Sequence, residues 1–71
     1  MFCVERSDGP DIWFKEQCFE SEFKAFTNAR AKSLNTFELY RVVYESPGHS
    51  GEVLRISKGR AILAEGDRLV G

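Results

Sequence analysis

The 71-residue chain has one His, one Met, one Trp, two Pro and two Cys, and no long apolar run. Each scarcity closes off a class of function. His49 stands beside Ser50 in a Gly-rich stretch, but neighbours in sequence do not make a triad, whose geometry comes from elements that converge in space. Cys3, Cys18 and His49 lack the paired spacing of a zinc site. No segment reaches the roughly 20 apolar residues of a membrane helix, and "MFCVERSDGP" lacks the charged-then-apolar order of a secretory leader. The glycines of "GHSG" and "SKGR" do not follow the phosphate-loop pattern and read as turns, where Gly supplies positive φ. Glu20 and Glu22 fit the start of a helix without any acid–base role. The chain is therefore expected not to be an enzyme and to use no cofactor and no metal.

Charge of one sign is lacking too. The net charge is −1, with 10 basic and 11 acidic residues. That weighs against broad electrostatic binding to nucleic acid, which needs a basic surface, and equally against an acidic DNA mimic. The spread is uneven: three basic against six acidic residues over 1–27, seven against five over 28–71. With no leader and no span, a cytoplasmic location and no membrane partner are expected. In that compartment Cys3 and Cys18 default to reduced thiols packed as small hydrophobes. If residues 2–6 pair with 12–16, the two cysteines are near each other but not opposed.

What the chain does have is aromatic residues: six Phe, two Tyr and one Trp. Such side chains dominate cores and interfaces alike. One small domain spanning residues 1–71 is expected, and at this length stability is thin. "FCVER" and "IWFKE" flank the turn chemistry of "SDGPD" and read as a β-hairpin. "ESEFKAFTNARAKSLN" reads as a helix of about fourteen residues, with Ser21 as N-cap, Glu22 in the first turn and Asn35 able to end it. At 100° per residue Phe19, Phe23, Phe26 and Leu34 form one stripe, with Ala29 at its margin. Phe23 and Phe26 are expected to be buried against the sheet. Arg30 falls near the middle of the stripe, where its stem packs and its guanidinium snorkels to an edge, or where it meets a partner.

"TFELYRVVYES" (36–46) is the longest strand. "SPGHSG" is a loop, "EVLRIS" a strand antiparallel to it, "SKGR" a turn, "AILAE" a short last strand, and "GDRLVG" a tail. The fold class is α+β: an antiparallel sheet of four to five strands with one helix packed on one face, ββαββ(β). One helix cannot cover both sides of a strand that is apolar on both. Periodicity leaves open which parity lies beneath the helix. Tyr40 and Tyr44 carry hydroxyls that tolerate water, so they are expected on the uncovered face with Trp13. Phe37, Leu39 and Val43 are expected to turn toward the helix. If the tyrosines pack under the helix instead, the tail is an alternative cover.

Exposed sheet aromatics can stack single-stranded bases where cations flank them. Tyr40, Tyr44 and Trp13 would supply the stacking, and Arg41, Arg55, Lys58 and Arg60 the cations; the ribonucleoprotein signature is absent. The segment "CFESEFKAFTNARAKSLNTFELYRVVYESPGHSGEVLRI" resembles small orphan proteins of bacteriophages and mobile elements, in which a hairpin leads to a helix and then to a "YRVV…GEVLRI"-like hairpin. Anti-CRISPR proteins and phage inhibitors of host RNA polymerase include chains of this layout. The likeness spans most of the chain and is architectural. It implies a non-catalytic inhibitor that binds a host protein or ribonucleoprotein complex. The expected partner-binding residues are Trp13, Arg30, Tyr40, Arg41, Tyr44 and Arg55. A small nucleic-acid-binding protein and a structural homodimer are the alternatives.

Overall fold

The computed structural model describes residues 1–63. They form β1 (Phe2–Ser7), β2 (Trp13–Phe19), α1 (Glu22–Thr36), β3 (Tyr40–Ser46), β4 (His49–Ser57) and β5 (Arg60–Leu63). This is the α+β arrangement read from the sequence, with the fifth strand present. The strands make one open sheet in the order β2-β1-β3-β4-β5, with every neighbouring pair antiparallel. β2 and β3 therefore run parallel to each other on either side of β1. Strands so related need a crossover, and α1 supplies it. Residues 64–65, placed in the last strand by the sequence reading, and the "GDRLVG" tail lie outside the described residues.

Local chemistry sets most of the boundaries. In the first turn the Asp8 amide donates to the Ile12 carbonyl (2.8 Å) and the Ile12 amide to the Gly9 carbonyl (3.1 Å). The Ser21 side chain caps α1 by accepting from the Lys24 amide (3.2 Å), with Glu22 in the first turn. Asn35 does not end the helix. Phe37 takes the left-handed conformation (φ 62°) and donates its amide to the Ser33 carbonyl (3.0 Å). Strand β3 consequently begins at Tyr40, four residues later than "TFELYRVVYES" suggested. The stretch expected as a loop after it is a tight Pro47–Gly48 turn, so His49 and Ser50 belong to β4.

The buried stripe of α1 is Ala25, Ala29 and Ser33, at i, i+4 and i+8. These small residues seat the helix on Val4, Tyr40, Val42, Leu54 and Ile56, while Phe2, Phe19, Phe26 and Val53 pack around that core. Two expectations are corrected here. The stripe of Phe23, Phe26 and Leu34 does not face the sheet: Phe23 is 71% exposed and Leu34 47%, and only Phe26 is partly buried. The parity is also reversed, since Tyr40 is 2% exposed beneath the helix, whereas Phe37 is 73% exposed. Tyr40 is tolerated there because its hydroxyl lies 3.4 Å from that of Thr36 at the end of α1, which gives its polar tip a partner.

Two β-bulges govern the other face. Ser7 to Glu5 pair with Trp13 to Lys15, but between Glu5 and Val4 the register shifts by one, so that Val4 meets Gln17 and Cys3 meets Cys18. Glu16 is the extra residue, and a bulge of this kind turns side chains away from strict alternation. The cysteines are thereby directly opposed and joined in a disulfide, contrary to the expected free thiols. A second shift, between Val42 and Val43, pairs Val43 with Glu52 and leaves Val53 as the extra residue on β4.

The β4–β5 turn is fastened to the helix. Lys58 (φ 54°) and Gly59 (φ 79°) both have positive φ, as a two-residue hairpin turn of matching twist requires. The Gly59 amide donates to the Ser33 hydroxyl (2.9 Å), and Arg30 Nε donates to the Gly59 carbonyl (3.1 Å). A Cβ on Gly59 would come within 2.6 Å of Leu34 Cδ2. Leu34 is half-exposed and can shift, so Gly59→Ala is expected to destabilise the domain by about 1–3 kcal/mol chiefly through strain at positive φ. Urea unfolding will show this as a lower midpoint at unchanged slope.

Candidate functional site

The sheet face away from α1 carries a charged cluster instead of the aromatic patch expected there. Glu5 on β1, Arg41 on β3 and Arg55 on β4 lie in one cross-strand row. Two arginines directly opposite each other repel, and the second bulge answers this by placing Glu52 within reach of both. Arg41 donates to Glu5 Oε1 through Nε (2.8 Å) and to Glu52 Oε1 through Nη1 (3.2 Å). Arg55 grips both Glu52 oxygens, at 2.7 and 3.2 Å. Trp13 reaches over from the edge strand, its ring 4.2 Å from the Arg41 guanidinium carbon and 5.3 Å from that of Arg55. A guanidinium over an indole is the most favourable cation–π pairing among protein side chains.

This cluster is self-satisfied. Glu5 is 8% exposed, and so enclosed a carboxylate is tolerated because Arg41 neutralises it. The Glu52 carboxyl is held below its ordinary value of 4.5, chiefly by the hydrogen bond from Arg55, against partial burial and with help from the Arg55 charge and from Arg41. Two carboxylates and two guanidiniums thus cancel, leaving Trp13 as a half-buried ring over a neutral base. Nearby, Lys15 pairs with Glu45 (2.9 Å). Around the sheet's first edge, Glu16 binds Arg6 (3.2 Å) and Lys32 (2.8 Å), tying β1, β2 and α1 together.

A second surface lies along the flank of α1. Phe23, Phe26, Leu54 and Glu22 line an open groove of about 350 Å³. Here the sheet extends past the helix, and the large apolar side chains that do not fit beneath α1 stand beside it. Glu22 is the charged group at the lip of an otherwise apolar lining.

The six residues singled out from the sequence fall into four places. Trp13, Arg41 and Arg55 come together on the far face. Tyr44 is on the helix side of β3, at its end, with its ring 5.0 Å from that of Phe2. Arg30 is exposed and fixed to Gly59. Tyr40 is enclosed in the core and presents no surface to a partner, the correction with most consequence. Phe23 was missed as a surface residue, although a signal was present. An arginine in the middle of an apolar stripe is a poor fit to a core, while Ala25, Ala29 and Ser33 offered a smaller face at the same spacing. His49 is exposed at the start of β4, and among the described residues no group of three or more His, Cys, Asp or Glu is placed to hold a metal ion.

Because the folded-state pKa of Glu52 is depressed, its contribution to stability is present above the unfolded value near 4.5 and is lost as pH falls through the folded value. Glu52→Gln is expected to be less stable than the wild type at neutral pH. Thermal melts at falling pH will bring the two proteins together once the pH has dropped below 4.5 and through the depressed folded-state value, as Glu52 takes up its proton. A gap that stays constant into acid would show that the Arg55–Glu52 bond contributes nothing.

No protein-family model matches the chain, and comparison with curated proteins and with solved structures finds no match.

Proposed function

We propose that this chain is a non-catalytic protein-binding module that blocks a larger host assembly by occupying part of its surface. The observation that carries the reading is Phe23, a large aromatic side chain 71% exposed at the mouth of the groove with Phe26 and Leu54. An exposed ring beside an apolar groove is what a hot-spot contact uses, with the ring as anchor and the groove as receptor for a side chain of the partner. Glu22 at the lip sets the partner's chemistry: an aliphatic or aromatic side chain next to a Lys or Arg. The resemblance to small phage-encoded inhibitors, anti-CRISPR proteins among them, supports blocking in preference to chemistry. The partner in that setting is a host protein or ribonucleoprotein complex, met in the host cytoplasm.

The nucleic-acid alternative weakens on inspection of the far face. Its two arginines are each engaged by glutamates, and Tyr40 is not there to stack a base.

The test is capture from nuclease-treated host lysate by tagged wild type and by Phe23→Ser, with the oligomeric state of both measured by sedimentation. The wild type is expected to be a monomer that retains a stoichiometric protein. Phe23→Ser is expected to weaken that capture at least tenfold, a loss of about 1.4 kcal/mol or more. Its own stability should move by no more than about 0.5 kcal/mol, since the site is on the surface. Equal capture by the variant would remove the groove from the reading. Capture lost on nuclease treatment would favour nucleic acid, and a wild-type dimer that the variant splits would favour self-association.

A further inference from the structure

We propose that the Cys3–Cys18 bond is a reducible latch on the edge strand β2, and that opening it releases Trp13 from the far face while β1, β3 and β4 stay paired. The proposal depends on no binding partner. Among the described residues β2 has a ladder neighbour on one side only, β1. That ladder is interrupted between Val4 and Glu5 by the bulge, so the two halves of the hairpin are joined by a break in regular pairing. Apart from Phe19 packed at the margin of the core and the stacking of Trp13 on Arg41 and Arg55, the side-chain ties of β2 are ion pairs: Lys15 to Glu45 and Glu16 to Arg6 within the sheet, and Glu16 to Lys32 on α1. Pairs of this kind near a surface hold little free energy each and weaken with salt. The disulfide is the one covalent cross-link, and it sits on the far side of the bulge from Trp13.

β1, by contrast, does not rely on it. It lies between β2 and β3, and its Glu5 is gripped by Arg41 while Val4 is enclosed in the core. Loss of the cross-link therefore falls on β2. With β2 loosened, the indole leaves Arg41 and Arg55, and a neutral, ring-covered face becomes one that shows two guanidiniums and their three ion pairs.

The chemistry balances with a dithiol reductant. One of its thiolates attacks the sulfur of Cys18, the half-buried member of the pair; Cys3 is fully enclosed. The S–S bond breaks, Cys3 departs as a thiolate and takes up a proton. The reductant's second thiolate then displaces Cys18 from the mixed disulfide. Two electrons and two protons pass to the protein, and the reductant leaves as its own disulfide. In a thiol-rich compartment the latch would be open, and oxidation would close it.

The probe is dithiothreitol acting on the full chain, with thiols counted by alkylation and mass. Trp13 is the chain's one tryptophan, so its emission reports the far face directly. Untreated protein is expected to show no free thiol, and reduced protein two. On reduction the emission should shift to the red, and amide exchange across residues 13–19 should quicken at least about tenfold, with β3 and β4 still protected. Tm should fall by about 10 °C or more, because the lost cross-link closed a 15-residue separation. The double variant Cys3→Ser, Cys18→Ser should match the reduced protein and ignore the reagent. Free thiols that persist in the presence of oxidised glutathione would overturn the latch, as would unchanged emission and exchange in the reduced form. Cooperative unfolding of the whole domain on reduction would overturn it too, since the bond would then be a staple of the entire fold.

Discussion

How closely α1 approaches the sheet decides much of what else is seen. Ala25, Ala29 and Ser33 present almost no side-chain volume beneath the helix, and the space is filled from the sheet side by Tyr40, Val42 and Ile56. A core needs a given volume, and it matters little which layer supplies it. Once strand residues fill it, the phenylalanines of the helix have nowhere to go but its flank. The same close seating brings Ser33 within hydrogen-bonding distance of the Gly59 amide and excludes a side chain at that turn. The exposed Phe23 and the fastened β4–β5 turn are thus two results of one packing choice.

The opposite face follows a different rule. Among the described residues no helix covers it, so an apolar surface there would stand against water, and the sheet instead places charges in its middle and cancels them pairwise. The cancellation depends on irregularity. In a regular ladder Arg41 and Arg55 would oppose each other with no acid between, and Cys3 would meet Gln17. Each bulge moves the register by one residue, and each installs a chemically specific contact: Glu52 under two guanidiniums, and Cys18 across from Cys3.

The element order, the first hairpin, the Ser21 cap and the Lys58–Gly59 turn were legible in the sequence, because each rests on chemistry within a few residues. The features that were not legible rest on tertiary balance. Phe37 ends the helix although Asn35 is the better residue for a left-handed position, since the Ser33 carbonyl and the approach to β3 set the end point. Hydrophobic weight favoured the phenylalanine stripe over the alanine one, and only the volume of Tyr40 on the facing strand reverses that preference. The parity of β3 was undecidable from a strand apolar on both faces. The two bulges carry no turn residue to announce them, so neither the cysteine pairing nor the position of Glu52 could be read ahead of the fold. Of the candidate site, Trp13, Arg41 and Arg55 were each singled out, but the expected parity put Arg41 on the face opposite Trp13, so their grouping was not read ahead; the surface position of Phe23 was signalled only by Arg30 in the middle of the apolar stripe.

The interior position of β1, between β2 and β3, has a consequence for how the chain comes to be made. Phe2 to Arg6 pair with Tyr44 to Tyr40, so once β1 is synthesised nearly forty more residues must follow before its second neighbour exists. Until then it has only β2 beside it, and two-stranded hairpins are marginal in water. The crossover helix must form and swing across before β3 can slot in, which makes the pairing of β1 with β3 the long-range step that topology slows. A nascent chain halted before residue 40 would expose Phe2 and Val4 along an open strand edge, the kind of surface that chaperones engage and that aggregates when they do not.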